Sequence, residues 1–280
     1  MSNDESQTQL ESQLSGLAIY DSYKKSKFLS IKVNSYFQVY EELFARFRGK
    51  PVVFVEIGIL NGGSLFMWRD YLGPAARIIG VDLNPSARRW EEHGFEIHVG
   101  SQSDPGFWDG FFSSVGSVDV VLDDGGHTNE QQIITAHHCL PHIRDGGMLV
   151  VEDVHASYVR AFGNPSPFSF MEYCKHLIDG INARFSSLKP SKSSLNTIVW
   201  SMSFFESIVC FHVDRSKSYV STVTSNQGQS LNAEDYRHHD SAVGAMNRHP
   251  YTHLASDKLL RAASYLIMKW NSRSLKRYFP

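Results

Sequence analysis

Short apolar runs that alternate with helix-compatible stretches constrain the fold of this chain more than any other feature. Each run ends at, or just before, a glycine or an acidic residue; the five runs are Val52–Glu56, Arg77–Asp82, Glu96–Val99, Val118–Asp123 and Met148–Glu152. Continuous β-branched runs separated by helices are typical of parallel strands that are buried on both faces. Two later runs, Thr197–Phe204 and Ser207–Val213, are separated by two residues and predict an antiparallel hairpin.

These runs predict a core domain over residues 51–215, and the segments on either side of it differ from it in composition. Residues 1–16 are rich in Ser, Gln, Asn and acids and predict a disordered tail. Residues 17–50 predict a helical cap, because aromatic and aliphatic side chains recur there at helical spacing. The stripe that is expected to pack on the core consists of Phe37, Tyr40, Leu43, Phe44 and Phe47. A polar, His-rich loop is predicted over 216–256, and a basic amphipathic helix over 257–280.

These segments together predict an α/β protein with a Rossmann-like, doubly wound fold. Its sheet is expected to have seven strands, mostly parallel, with the antiparallel hairpin at one edge and helices added at both ends of the chain. Ligands of such sheets bind at the carboxyl ends of the strands, so the residues that follow the strands are the candidates for chemistry.

Composition excludes several classes of protein. The 280 residues are 42% hydrophobic and 20% charged, which suits a folded core. A net charge of −2 argues against a general nucleic-acid binder. No apolar stretch approaches the length of a membrane span, and residues 1–13 lack the basic and apolar regions of a secretory signal. Three widely spaced cysteines (Cys139, Cys174 and Cys210) are interpreted as reduced core residues of a cytoplasmic protein.

Glycines and polar residues follow the first three predicted strands. Gly58 and Gly62 let the backbone turn and approach a ligand closely, although their spacing does not match the dinucleotide fingerprint. Asp82 ends the second strand, where an acid can accept both hydroxyls of a ribose. The third strand is followed by polar residues that suit an adenine edge, namely Ser101, Gln102 and Asp104. The pattern predicts a nucleoside-like cofactor.

Carboxylates and histidines follow the fourth and fifth predicted strands. Asp123, Asp124 and His127 follow one strand, and Glu152, Asp153 and His155 follow the other. Four crowded carboxylates repel one another unless a divalent cation neutralises them, and oxygen ligands favour Mg²⁺, Mn²⁺ or Ca²⁺. The alternative, that these acids are helix caps, suits a single residue such as Asp124 better than two adjacent pairs.

The motifs resemble a known enzyme family. Glu56-Ile57-Gly58 with Asp82 resembles the class I S-adenosylmethionine-dependent methyltransferases. Asp-Asp-Gly-Gly-His at 123–127 and Glu152-Asp153 resemble the metal-dependent sugar O-methyltransferases of macrolide biosynthesis, of the macrocin and mycinamicin type, with related rhamnosyl methyltransferases and cephalosporin-methoxylation proteins. The resemblance covers about Lys27 to Val213.

This resemblance implies S-adenosyl-L-methionine as cofactor and Mg²⁺ (or Mn²⁺) as metal. It implies that Asp124, Glu152 and Asp153 bind the metal and that His127 is the base. Independently of the resemblance, His155 and Tyr158 are candidate acceptor contacts, because they follow Asp153 closely in the sequence. The residues expected around the cofactor are Glu56, Gly58, Asn61, Gly62, Ser64, Asp82, Ser101, Gln102, Asp104 and Asp123. The family usually has an Asp-Lys pair where this chain has Ser26-Lys27, so substrate contacts by that segment are not predicted.

The expected reaction is methyl transfer to a sugar hydroxyl of a secondary metabolite, a polysaccharide or a nucleotide-linked sugar. The alternatives are a cephalosporin-type enzyme with a non-sugar acceptor, a nicotinamide-dependent oxidoreductase, which the glycine spacing disfavours, and a non-catalytic partner protein. The expected partner is a small-molecule or glycan acceptor, with no nucleic acid and no integral membrane segment; a homo-oligomer is left open. The basic helix either docks on the domain or attracts an anionic acceptor.

Overall fold

The computed structural model describes residues 11–229, 231, 241–249 and 256–278. The chain forms two compact units, Met1–Thr222 and Val223–Pro280. No helix in the described part of the chain combines the length and the apolar character that a membrane crossing requires.

A seven-stranded sheet forms the centre of the first unit, with the strand order β3-β2-β1-β4-β5-β7-β6. Strands β3, β2, β1, β4 and β5 are parallel, and β7 pairs antiparallel with both β5 and β6. The strands are β1 (Val53–Ile57), β2 (Arg77–Asp82), β3 (Glu96–Val99), β4 (Val118–Asp123), β5 (Ile143–Val151), β6 (Val199–Phe205) and β7 (Ile208–Val213). The predicted fold class, including the edge hairpin, is confirmed.

Helices cover both faces of this sheet. In the first unit they are α1 (Ala18–Lys25), α2 (Tyr36–Phe44), α3 (Gly63–Leu72), α4 (Pro105–Val115), α5 (Asn129–Cys139) and α6 (Phe170–Asn182). The second unit contains α7 (Ala242–Asn247) and α8 (Asp257–Ser272). Residues Pro85–His93, between β2 and β3, form a 3₁₀ segment.

The sheet separates two hydrophobic cores because successive strand residues point to opposite faces. Phe54 of β1 packs with α1, α2 and α3, whereas Val55 and Ile57 pack with α4, α5 and α6. Both faces of β1 are therefore buried, which explains its continuous apolar run. Glu56 is the exception, a fully buried carboxylate on the α3 side of the sheet.

Strands β1, β6 and β7 are shifted by one or two residues from the predicted runs, and larger differences occur in three places. Strand β5 begins at Ile143 rather than Met148, because its first part pairs with Val118 across a register shift in β4. The predicted disordered tail is wrong for residues 11–14, which are helical and bury Leu14; residues 1–10 lie outside the described residues. The predicted loop at 216–256 contains helix α7, while residues 230, 232–240 and 250–255 lie outside the described residues.

Candidate active site

Asp124, His127 and Asp153 lie together where β4 and β5 end. Adjacent pairing of the two strands brings their carboxyl ends to the same edge of the sheet. The His127 Nε2 atom lies 3.9 Å from Asp124 Oδ1 and 3.4 Å from Asp153 Oδ2, and one ligand atom from each of the three residues falls within 4.8 Å of the others. All three side chains are partly exposed, so a ligand can reach them.

Two residues of this cluster have a backbone conformation that residues other than glycine rarely adopt. His127 has a φ of 58° and Asp153 a φ of 55°, both in the left-handed region that favours glycine. Such backbone geometry costs energy and tends to occur at functional sites, where it aims a side chain at a ligand. We infer that the loops after β4 and β5 hold the side chains of His127 and Asp153 in the orientation that brings them together.

The donor set of this cluster fits a divalent cation. Two carboxylates and an imidazole can each offer one atom, and the His127 Nδ1 atom is buried without a hydrogen-bond partner in the described structure. The helix-cap alternative is wrong here, because Thr128 caps α5 in a capping box with Gln131. Asp153 precedes the 3₁₀ segment Val154–Tyr158 but makes no side-chain cap hydrogen bond.

Glu152, the third predicted metal ligand, is engaged elsewhere in this structure. Its carboxylate is fully buried, lies 3.1 Å from the Lys32 ammonium and accepts a hydrogen bond from the Tyr40 hydroxyl. Burial raises the pKa of Glu152, and Lys32 partly offsets this. The geometry therefore groups His127, rather than Glu152, with the two aspartates.

Three residues of this site were not predicted from the sequence: Lys32, Tyr36 and Tyr40. Lys32 Nζ lies 2.6 Å from Asp124 Oδ2, and its side chain is 2% exposed. Burial alone would lower the pKa of Lys32, but the neighbouring groups, chiefly Glu152, raise it above its ordinary value. The Tyr36 hydroxyl donates to Asp153, and burial together with this hydrogen bond raises the pKa of Tyr36.

The aromatic stripe of α2 explains why the tyrosines were missed. Tyr40 packs in the core as predicted, but its hydroxyl reaches Glu152. The available signal was a hydroxyl on an otherwise apolar buried face, since a buried hydroxyl needs a partner. Lys32 carried no comparable signal, because its partners are about a hundred residues away along the chain.

A cavity of about 530 Å³ joins this cluster to the predicted cofactor site. Asp82 lies in its wall, and its Oδ2 atom accepts hydrogen bonds from the backbone N–H groups of Ile59 and Leu60, at 3.0 and 3.2 Å. Gly58 allows the loop to close on β4, since a Cβ atom there would lie 2.1 Å from the carbonyl oxygen of Asp124. The predicted residues that line the cavity are Gly58, Asp82, Ser101, Gln102, Asp124, His127 and Asp153.

A concave cavity at the strand ends fits a nucleoside-like cofactor, but several predicted contacts have other partners. Ser64 donates to Glu56 at 2.9 Å, and burial raises the pKa of Glu56 to about 7. Asp104 caps α4 by accepting from the Gly106 N–H. Asn61 lines a separate cavity beside Trp90.

Gly62 and Asp123 also support the loops rather than line the cavity. A Cβ atom on Gly62 would lie 2.3 Å from the Trp90 ring, so this glycine permits close packing. Asp123 accepts from Gln102 Nε2 at 2.9 Å and from the Gly125 N–H at 3.1 Å, and burial raises its pKa to about 6. Through Asp123, Gln102 connects the loop after β3 with the loop after β4.

The two predicted acceptor contacts lie on the outside of the cluster. His155 is exposed, and its Nδ1 atom makes a hydrogen bond with Ser207 Oγ. Tyr158 is exposed as well. Both are accessible to an acceptor, and their contact with it stays a prediction.

The chain is similar in sequence to a methyltransferase family model and to several named O-methyltransferases. Residues 55–154 match the family model described as "Methyltransferase domain". The predicted resemblance is confirmed. A Streptomyces olivaceus protein named 8-demethyl-8-(2-methoxy-alpha-L-rhamnosyl)-tetracenomycin-C 3'-O-methyltransferase is 39% identical over 137 residues, which are 45% of this chain and 33% of that protein. Demethylmacrocin O-methyltransferase of Streptomyces fradiae is 35% identical over 134 residues, with the same coverage.

A solved structure shares the fold. The MycE methyltransferase of the mycinamycin pathway, in complex with Mg, SAH and mycinamycin VI, aligns with a TM-score of 0.64 and 24% identity over 77% of this chain and 57% of that one. The chain spans less than half the length of the curated relatives that it matches. The similarity therefore concerns the sheet domain with its strand-end loops, where the candidate site lies.

Proposed function

We propose that this chain is an S-adenosylmethionine-dependent, divalent-metal-dependent O-methyltransferase that methylates a hydroxyl of a sugar. One observation carries the proposal: Asp124, His127 and Asp153 line the same cavity as the cofactor residues Gly58 and Asp82. A metal-binding group and a nucleoside-binding group that share one cavity favour transfer between a bound cofactor and a metal-bound acceptor. The names of the relatives support the same reaction class.

Asp82, Gly58 and the loop after β3 would hold S-adenosylmethionine, which supplies an already activated methyl group. Asp124 and Asp153 would hold the divalent cation, which lowers the pKa of a bound hydroxyl and fixes its direction. The remaining work of the protein is to align the acceptor oxygen with the methyl group and to remove one proton.

His127 is the residue that would remove this proton. Imidazole is the side chain best suited to accept a proton near neutral pH. Its Nε2 atom faces the cavity between two carboxylates, and the Asp153 carboxylate, 3.4 Å away, can stabilise the imidazolium that forms. No covalent intermediate is required.

The names of the relatives support a sugar acceptor, because they specify hydroxyls of sugar-bearing natural products. We extend this to a sugar of a secondary metabolite, a polysaccharide or a nucleotide, and place the reaction in the cytoplasm. The three free, buried cysteines are consistent with a reducing compartment. A cephalosporin-type, non-sugar acceptor is the competing proposal, since it would use the same cofactor and metal groups.

The test is methyl transfer from radiolabelled S-adenosylmethionine to a panel of rhamnosides, macrolide glycosides, nucleotide sugars and cephalosporin-type acceptors. We expect product with a glycoside, complete loss in EDTA, and recovery with Mg²⁺. Full activity in metal-free buffer would remove the metal from the proposal, and product only with the cephalosporin-type acceptor would remove the sugar. Binding of NAD in place of S-adenosylmethionine would favour the oxidoreductase alternative.

A further inference from the structure

The segment between α1 and α2, residues 26–35, is held at two points, by α3 and by the acidic cluster; we name it the strap. At its start, Ser26 Oγ donates to the carbonyl oxygen of Gly63 at 2.8 Å. A Cβ atom on Gly63 would lie 2.3 Å from the carbonyl oxygen of Phe28, so the strap backbone packs directly on the first turn of α3. At its end, Lys32 reaches the acidic cluster.

In the strap, apolar side chains are exposed and a charged side chain is buried, which is the reverse of the usual pattern in proteins. Leu29, Ile31 and Val33 are exposed, whereas the side chain of Lys32, between them, is 2% exposed. Removing an ammonium group from water is costly unless charged partners compensate. Here the carboxylates of Asp124 and Glu152 offset the cost of burying the Lys32 ammonium. These ion pairs therefore hold the strap with Lys32 turned inward.

Asp124 is shared between Lys32 and the cluster. Its Oδ2 atom lies 2.6 Å from Lys32 Nζ, while its Oδ1 atom faces His127 Nε2. Both Glu152 oxygens lie within 3.3 Å of the same ammonium. The lysine thus supplies the positive charge that these carboxylates would otherwise obtain from a metal ion.

We propose that Lys32 is a built-in counter-cation that competes with the divalent metal for Asp124 and Glu152 and so sets the affinity of the metal site. The proposal rests on the metal dependence in the proposed function. It connects the predicted ligand set, which includes Glu152, with the observed cluster, which includes His127 instead: Lys32 and the metal compete for Glu152, which becomes a ligand when the metal displaces the lysine. His127 is then free to act as the base. Lys32 is a positioning residue and need not touch the acceptor.

The first measurement is the affinity for Mn²⁺ by titration calorimetry, in the wild type, in Lys32→Met and in Lys27→Met. Lys27 is the matched control, because it removes the same charge from an exposed position on the same strap. We expect Lys32→Met to bind Mn²⁺ about tenfold tighter or more, since a like charge beside the metal is removed, and Lys27→Met to bind like the wild type. Unchanged or weaker binding by a folded Lys32→Met protein would overturn the proposal.

The second measurement uses the wild type and so does not depend on the folding of a variant. An amine-acylating reagent followed by mass spectrometry reports the exposure of each lysine, with and without saturating Mg²⁺. We expect Lys32 to be protected without metal and labelled with it, whereas Lys27 is labelled in both states. A lysine that stays protected at saturating metal contradicts the competition.

The two proposals fail in different ways. Metal binding that exposes Lys32 without methyl transfer to any sugar would retain the competition and reject the proposed reaction. A wild-type protein that binds neither Mg²⁺ nor Mn²⁺ would reject both. Methyl transfer that requires metal, with Lys32 protected throughout, would retain the reaction and reject the competition.

Discussion

The strap and helix α8 both carry basic residues among apolar ones, but they arrange them in opposite ways. Lys32 of the strap is buried between two carboxylates, while its apolar neighbours Leu29 and Ile31 are exposed. In α8, Lys258 and Lys269 are exposed along with Leu266 and Trp270, and residues 258–278 contain no acid. Basic residues thus form a specific ion pair in the strap and an exposed positive surface in α8.

The comparison separates two uses of charge. A buried cation with hydrogen-bonded partners acts through geometry, so removing one partner has a large effect. An exposed cation acts through a screened field, and its contribution to stability is small. The predictions below test this distinction, beginning with the buried centre.

The largest effect is expected for His127→Ala. Removal of the proposed base should lower kcat by about 10²–10⁴-fold, because general-base catalysis contributes that much, and leave the affinity for S-adenosylmethionine nearly unchanged. Steady-state kinetics and calorimetry measure the two quantities. His137→Ala, at an exposed position of α5, is the control and should retain full activity. Normal turnover by the His127 variant would assign the base role elsewhere, with His155 the next candidate.

A smaller effect, on stability, is expected for Glu56→Gln. Burial raises the pKa of Glu56 from its ordinary 4.5 to about 7, so the folded state binds this proton more tightly than the unfolded state. The stabilisation that this proton provides is complete below pH 4.5 and is lost as the pH rises to 7. Relative to the wild type, the free energy of unfolding of the glutamine variant should therefore rise by on the order of 3 kcal/mol between pH 4.5 and pH 8.

Urea unfolding at pH 4.5, 6 and 8 measures this difference. Glu42→Gln, at an exposed position of α2, should leave the pH dependence as it is in the wild type. If the Glu56 and Glu42 variants respond to pH alike, burial of the Glu56 carboxylate is not the source of the pH dependence.

The smallest effect is expected for deletion of residues 223–280, which form a compact unit of their own. The melting temperature of the remaining chain should change by less than about 2 °C, equivalent to less than ~1 kcal/mol. A loss of more than about 5 °C would instead support docking of the basic helix on the domain. Recruitment of an anionic acceptor instead requires a stable deletion variant whose KM is raised and no longer depends on salt, whereas the KM of the full-length chain rises with salt.

The strand boundaries show which parts of the sheet the local sequence pattern predicts and which it does not. Strands β2, β3 and β4 begin and end where the apolar runs predict, because each run is bounded by a charged residue, glycine or a loop signal within a few positions. Strand β5 was predicted five residues too short at its start, because Ile143 pairs with Val118 of β4 across a register shift, which the local sequence does not encode.

The candidate site divides in the same way. The sequence alone determined the fold class and placed Asp124, His127 and Asp153 at one edge of the sheet, together with Glu152, because parallel strands carry their terminal residues to a common edge. Only the tertiary structure decided that Glu152 pairs with Lys32 and Tyr40, and that Asn61 and Asp104 do not line the predicted cofactor cavity. The physical reason is distance along the chain: Lys32 lies 120 residues before Glu152, and no periodicity or motif specifies a contact that folding alone creates.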